Sequence, residues 1–206
     1  SGMSKIYSGT EQENFAYLHG EQAANKQFMF YLIAKRIFDL VSSATLLILL
    51  SPIFLIVAIL VRLDSPGPII FSQKRVGCRF RRVEGRIEYE LYEFTFYKFR
   101  SMYYRASENF HREFIRAYIE NDHAGMDKLQ AIPVTSGNRY KLNGDRRITR
   151  IGRILRKTSL DELPQLWNVL MGHMSLVGPR PAIPYEVEMY KPAHFPRLYS
   201  IPGITG

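Results

Sequence analysis

Two adjacent carboxylates, Asp161 and Glu162, follow the cations Arg156 and Lys157 and precede the apolar run Leu163-Pro164-Gln165-Leu166-Trp167-Asn168-Val169-Leu170-Met171. Ser159, followed three residues later by Glu162, reads as a capping box, which places both carboxylates in the first turn of a helix. There the helix dipole and unpaired N–H groups favour an ionised Asp161, the form a nucleophile needs. Glu162, with Asp161 beside it, offers oxygen ligands to a hard cation such as magnesium. Acidic residues in a first turn are common as plain caps, and the local pattern alone favours that structural reading. Downstream, Gly178-Pro179-Arg180-Pro181 reads as a stiff loop presenting one arginine. The glycine allows close backbone approach, the prolines fix the loop, and a guanidinium binds phosphate through paired hydrogen bonds.

The elements that must position these residues begin with 40–61, LVSSATLLILLSPIFLIVAILV, a stretch without a charge between Asp39 and Arg62. A straight helix of that length would run roughly 33 Å, against about 30 Å for a hydrocarbon core. Ser51-Pro52 at its centre predicts a bend, because proline removes a helical hydrogen bond and biases the preceding residue away from helical angles. A kinked span, a re-entrant hairpin and a buried helix of a soluble core all remain open. Lys35 and Arg36 before the stretch and Arg62 after it favour the hairpin, since both cationic ends then stay on one side. The hydroxyls of Ser42, Ser43, Thr45 and Ser51 are available to satisfy backbone groups freed at the break.

Beyond the turn-rich Asp64-Ser65-Pro66-Gly67-Pro68, Ile69-Ile70-Phe71 reads as a strand. Residues 87–97, IEYELYEFTFY, alternate as a half-exposed strand ending at Lys98-Phe99-Arg100-Ser101-Met102. The charged stretch from Tyr103 to Asn121 is helix-compatible, and 122–144 reads as a surface excursion. From Asp145, basic Arg147, Arg150, Arg153 and Lys157 alternate with Ile148, Ile151, Ile154 and Leu155 at helical spacing. That pattern suits a headgroup surface, a phosphate ligand or an ordinary solvated face. No internal repeat appears.

Composition bounds the rest. The 206 residues carry a formal charge of +9, 46% hydrophobic residues and one cysteine. Disorder and a disulfide scaffold are excluded, and Cys78 reads as a small buried side chain. The positive balance calls for an anionic partner: nucleic acid, acidic lipid headgroups or phosphorylated small molecules. Ser1-Gly2-Met3 reads as the scar of a cleaved tag.

The ordered blocks from Lys35 to Gly206 resemble the bacterial sugar transferases, the monotopic phosphoglycosyl transferases that act on polyprenyl phosphate. The blocks are Lys35-Arg36-Ile37-Phe38-Asp39, Ser51-Pro52, Ser65-Pro66-Gly67-Pro68, Phe71-Ser72-Gln73-Lys74-Arg75-Val76-Gly77 and Lys98-Phe99-Arg100-Ser101-Met102. They continue with Asp145-x-Arg147-x-Thr149-x-x-Gly152-x-x-Leu155-Arg156, Ser159-Leu160-Asp161-Glu162-Leu163-Pro164-Gln165, the Gly-Pro-Arg-Pro loop and Pro202-Gly203-Ile204-Thr205-Gly206. The resemblance implies an α/β, helix-rich fold with few short strands. Residues 1–27 would be a polar N-terminal segment, 28–63 a re-entrant membrane helix broken at Ser51 and Pro52, and 64–206 a small catalytic domain with interfacial amphipathic helices. It implies residence at the bacterial inner membrane with that domain on the cytoplasmic face, in contact with membrane lipids, with no nucleic-acid partner and with a homo-oligomer left open.

It also implies that Asp161 attacks the β-phosphate of a UDP-sugar, releasing UMP, and that polyprenyl phosphate then takes the sugar-phosphate as the first membrane step of glycoconjugate synthesis. Glu162, with Asp161, resembles the carboxylate associated with Mg2+. Arg156 and Arg180 would hold phosphate with Gly178 and Pro179, and Lys98, Arg75 and Arg147 are further candidates. Three departures stand out. Gly172-His173-Met174 has histidine where relatives carry an acid, residues 103–144 are longer than in compact relatives, and the chain stops at Gly206 where relatives continue, as expected of a truncated C-terminal end. His173 and the chain end keep one rival open, a structural member of a glycan-assembly complex that has lost catalysis, and the basic stretch keeps another, a membrane-anchored module binding nucleic acid or lipid through Arg146 to Lys157.

Overall fold

The computed structural model describes residues 26–83, 86–104 and 147–205. The expected helix after Tyr104, the excursion over 122–144, the start at Asp145 and the N-terminal polar segment before Lys26 lie outside the described residues.

The described residues begin with two helices. Helix α1 (Lys26–Leu49) and helix α2 (Ser51–Asp64) meet at Leu50 with a bend of 62°. Pro52 falls in the first turn of α2, where a missing N–H costs no intrahelical bond. The Leu50 N–H still donates to Leu46 O (2.9 Å), Phe54 N–H donates to Leu50 O (2.9 Å), and Ser51 Oγ donates to Ile48 O (2.8 Å). The break is thus a turn of the axis with little loss of hydrogen bonding. Among the described residues no single helix is long and apolar enough to cross a membrane; the bent pair passes that test only together. Ile48, Leu49, Leu55 and Ile56 are exposed around the bend.

Both ends of this bent pair are tied to the same body. At the α1 end, Arg36 donates from Nη1 to Val169 O (2.6 Å) and from Nη2 to Leu170 O (2.8 Å), and Lys35 Nζ donates to Ser175 Oγ. At the α2 end, buried Arg100 donates to Ser65 O (2.5 Å), Ser65 Oγ (3.0 Å) and Pro66 O (3.0 Å), while Asp64 Oδ2 accepts from Ile151 N–H (3.0 Å).

The body itself is built on a long antiparallel hairpin, β1 (Ile70–Val83) with β2 (Arg86–Phe99), in register from Ile70 opposite Phe99 to Val83 opposite Arg86. The alternation of 87–97 places Phe94 and Phe96 on one buried face with Glu93 exposed between turns of the pleat. Helix α3 (Arg150–Thr158) follows, then a 3₁₀ turn (Leu160–Glu162), α4 (Gln165–Leu170), β3 (Ser175–Val177), α5 (Pro184–Glu188), a 3₁₀ segment (Pro192–Leu198) and β4 (Gly203–Thr205), which pairs in parallel with β3. The fold is mixed helix and strand with few strands, two of them only three residues long; the hairpin pair extends well beyond the Ile69-Ile70-Phe71 run.

Two expectations need correction. Helix α3 starts at Arg150, because Ile148 pairs with Met102 in an isolated antiparallel bridge and the Thr149 hydroxyl caps Gly152 N–H (2.9 Å). Arg147 and Ile148 are therefore off the helix. The capping box at Ser159 does not form: Ser159 ends α3 in the left-handed region (φ 58°) and makes no side-chain cap, while the next helix starts only after Pro164. Pro164 lacks the N–H that an interior position would need and fits the entry of a helix, so the two carboxylates occupy the intervening 3₁₀ turn.

Three small apolar clusters hold these pieces. Val57 and Val61 of α2 pack with Phe99 and Leu155, Phe94 and Phe96 pack with Val169 and Met174, and Val76 packs with Ala182, Val187, Phe195 and Leu198. Each cluster joins the hairpin to a different later segment, at about 1.5–3 kcal/mol per large side chain fully removed from water.

Candidate active site

Asp161 is buried, at 7% exposure, on the 3₁₀ turn. The turn is closed by Glu162 N–H donating to Ser159 O (3.1 Å) and Leu163 N–H donating to Leu160 O (3.3 Å). Leu160 and Leu163 on either side pack against the Phe99–Leu155 cluster, so the turn is anchored by its apolar members while Asp161 faces charge.

That charge comes from the last turns of the hairpin. Lys98 of β2 lies over the Phe71 ring (5.2 Å to the centroid) and within electrostatic reach of Arg156, Asp161, Arg180 and Arg75. Burial, then Arg156, pushes its ammonium down to about 8, with Asp161 acting in the opposite direction. Arg75 of β1, buried over Phe96 (5.1 Å), donates from Nη1 to Pro181 O (2.9 Å) and from Nη2 to Gln73 Oε1 (3.0 Å). Burial first and Arg180 second lower its pKa to about 10, and its Nε is buried without a hydrogen-bond partner.

The Gly178-Pro179-Arg180-Pro181 loop is stitched on both sides. Gly178 N–H donates to Thr205 O and Gly203 N–H to Pro179 O (both 2.9 Å), and Val76 N–H donates to Ala182 O (2.9 Å). A Cβ on Gly178 would run into the Ile201 carbonyl, so only glycine permits this approach of β4. Arg180 itself is exposed, as is Arg156 at the end of α3. Four cations, Arg75, Lys98, Arg156 and Arg180, thus share one electrostatic neighbourhood, with Asp161 acting on Lys98 and Glu186 on Arg75, so cations outnumber carboxylates two to one. A site with that imbalance attracts a polyanion, and paired N–H donors of two exposed guanidinium groups suit phosphate.

Glu162 stands half-buried next to Asp161. No group of three metal-ligating side chains occurs among the described residues. The donor set of two adjacent carboxylates fits magnesium held largely by water and substrate phosphate oxygens, and does not fit an all-protein cage. Arg147 stands before α3, its carbonyl accepting from Tyr103 N–H (2.9 Å). Ser51 and Pro52 sit at the helix bend.

Several positioning residues carry no sequence signature. Asn168, wholly buried, accepts at Oδ1 from Tyr97 N–H (3.1 Å) and donates from Nδ2 to Thr95 O (2.7 Å), pinning α4 beside Lys98. Its polar character within an apolar run was the one available hint. His173 stacks on Phe94 (5.6 Å, 12°) near the Tyr92 hydroxyl, and burial followed by Arg36 lowers its pKa. It packs at the turn after α4. Cys78 is buried as expected, its thiol pushed up to about 12 by burial.

Comparison with known proteins places this geometry. Residues 30–206 match the family model of the bacterial sugar transferases. The exopolysaccharide production protein PSS of Rhizobium leguminosarum bv. phaseoli is 39% identical over 181 residues, covering 85% of this chain and 72% of that protein. The undecaprenyl-phosphate galactose phosphotransferase of Salmonella typhimurium is 40% identical over 172 residues, covering 84% of this chain and 31% of its own. The UDP-N-acetylgalactosamine-undecaprenyl-phosphate N-acetylgalactosaminephosphotransferase of Aeromonas hydrophila is 34% identical over 179 residues, covering 85% and 33%. The chain therefore spans most of the first relative and about a third of the other two.

Proposed function

Because the chain belongs to the bacterial sugar transferase family, we propose that it moves a sugar 1-phosphate from a UDP-sugar to a polyprenyl phosphate through a covalent intermediate on Asp161. The observation that carries this reading is the buried Asp161 beside Lys98, with Arg75, Arg156 and Arg180 in the same electrostatic cluster. A carboxylate oxygen of Asp161 attacks the β-phosphorus of the donor, and the bond from that phosphorus to the oxygen bridging it to the α-phosphate breaks. UMP leaves with the bridging oxygen and its electron pair. A phosphate oxygen of the polyprenyl phosphate then attacks the same phosphorus, the acyl phosphate bond breaks, and Asp161 is restored as a carboxylate. Neither step changes oxidation state.

Phosphoryl transfer needs positioning and charge neutralisation more than bond-making groups, and the protein's residues divide these tasks. Arg180 and Arg156, exposed at the mouth, would hold donor phosphates, while Lys98 and Arg75, fixed on the hairpin, neutralise charge beside Asp161. Gly178 and Pro179 set the loop that carries Arg180. Glu162 and Asp161 would hold magnesium, whose charge offsets that of the transferred phosphate.

The acceptor is a lipid, and three features support a re-entrant α1–α2 pair reached from one side of the bacterial inner membrane, the cytoplasmic one. Both ends of the pair are bonded to the same domain, the axis turns by 62° at Leu50, and Lys35, Arg36 and Arg62 flank the apolar stretch. A polar domain bonded to both ends holds them on one face. Exposed Ile154, Trp167 and Met171, with Arg150, Arg153 and Lys157 on α3, provide the mixed apolar and cationic surface of an interfacial element.

Intact-protein mass after incubation with magnesium and a panel of UDP-sugars, without lipid acceptor, tests the reading. A gain of one sugar-phosphate on the native chain and none on Asp161→Asn is the expected result. An equal gain on both chains overturns the nucleophile, and no gain on the native chain overturns the covalent route.

A further inference from the structure

One turn of α1 touches both segments that carry the proposed chemistry. Arg36 holds the last carbonyls of α4, Val169 O and Leu170 O, and α4 follows the Asp161 turn. Three residues later, buried Asp39 accepts at Oδ1 from Leu176 N–H (3.1 Å), and β3 runs directly from there into the loop of Arg180. Lys35 completes the bracket, pairing with Asp39 Oδ2 (3.6 Å) and donating to Ser175 Oγ and Val177 O (3.3 Å). A rigid helix with i, i+1 and i+4 tethers fixes the separation of the two segments it binds.

We infer that Asp39 is a positioning residue for the transfer step: through Leu176 it sets Arg180 at working distance from Asp161. Neither Asp39 nor its neighbours in the bracket belong to the cluster around Lys98, so the effect acts through backbone placement. A charged group out of water is retained only with partners, and here those partners are a β3 amide and a lysine that itself reaches β3. Displacement of a catalytic group by about 1 Å costs about a hundredfold in rate, so a loosened β3 should appear in the rate of attack. The inference rests on the proposed covalent transfer.

The test is single-turnover formation of the sugar-phosphate adduct, followed by mass, on the full chain in detergent or nanodiscs. Partial unfolding lowers the amplitude of adduct and leaves its rate constant alone, whereas misplacement lowers the rate constant. Asp39→Ala is expected to form adduct at least tenfold more slowly at saturating UDP-sugar. Asp39→Asn, whose amide oxygen still accepts from Leu176 N–H, should recover most of that rate. A native rate constant in Asp39→Ala, or an Asp39→Asn chain as slow as the alanine chain, overturns the positioning role. Should the alanine chain fail to fold, Asp39→Ser carries the same test, since its shorter hydroxyl falls short of Leu176 N–H while keeping a polar group beside Lys35; a native rate constant there also overturns the positioning role. Absence of adduct on the native chain would instead overturn the transfer reading from which the inference starts.

Discussion

Replacing Lys98 by methionine should make the protein more stable and less active at once. Its ammonium is held down to about 8 from an ordinary 10.5, chiefly by burial and then by Arg156. At about 1.4 kcal/mol per tenfold step in the proton equilibrium, keeping it charged at pH 7 costs the fold about 3 kcal/mol. Methionine fills a similar volume without charge. Loss of the contact with Phe71 returns about 0.5–1 kcal/mol, leaving a net gain of about 2 kcal/mol. The sign of the pH dependence follows from proton counting. Above about pH 8 the folded native chain releases the Lys98 proton while the unfolded chain keeps it to 10.5, so native stability climbs with pH over that window. The advantage of Lys98→Met is therefore full at pH 7 and mostly gone by about pH 9.5. Thermal unfolding in detergent at both values is the assay, with a rise in Tm of about 4–8 °C at pH 7 for a chain of this size. Adduct formation should be lost at both. A variant that is less stable at pH 7, or equally favoured at both values, would refute the claim that Lys98 is a strained, functional cation.

Two further outcomes follow from the packing. Gly152→Ala should destabilise the protein by about 2–3 kcal/mol, read by thermal unfolding, because a Cβ there collides with the backbone of Ser101, which is held just after β2 by the Thr149 N–H. Single cysteines placed at Lys26 and Lys74 should both resist a membrane-impermeant maleimide in intact cells and both react after permeabilisation; labelling on opposite faces sinks the re-entrant arrangement. Native Cys78 will not interfere, since it is buried and its thiol is pushed up to about 12.

Local periodicity was enough to read 87–97 as a strand, but not its pairing with a β1 that runs to Val83, nor that Phe94 and Phe96 are buried on the face opposite Leu91. It was enough for the bend before Ser51-Pro52, because proline acts on its own neighbours. It misled at both helix boundaries near the site. Thr149 caps α3 only because Met102, distant in sequence, pairs Ile148 off the helix, and Ser159 fails as a cap because it must turn the chain in the left-handed region. The charged residues of the site were legible by type and by their order along the chain. What brings Arg75, Lys98, Arg156 and Arg180 around Asp161 was not, since it depends on β1–β2 register and on the β3–β4 pairing. The partners of Asn168, Arg36 and Asp39 were not legible for the same reason: a polar residue beside or within an apolar run reveals a need for a partner and never its address.

The bracket between α1 and β3 also sets a timetable for synthesis. Asp39 and Leu176 lie 137 residues apart, so at about 5–20 residues per second the helix leaves the ribosome roughly 7–27 s before its amide partner exists. During that interval a carboxylate at the edge of an apolar segment has only what its own helix supplies, and Lys35, one turn back, is already there. The ion pair can be read as an escort that keeps the charge neutralised in transit, then passes half of it to Leu176 when the strand arrives.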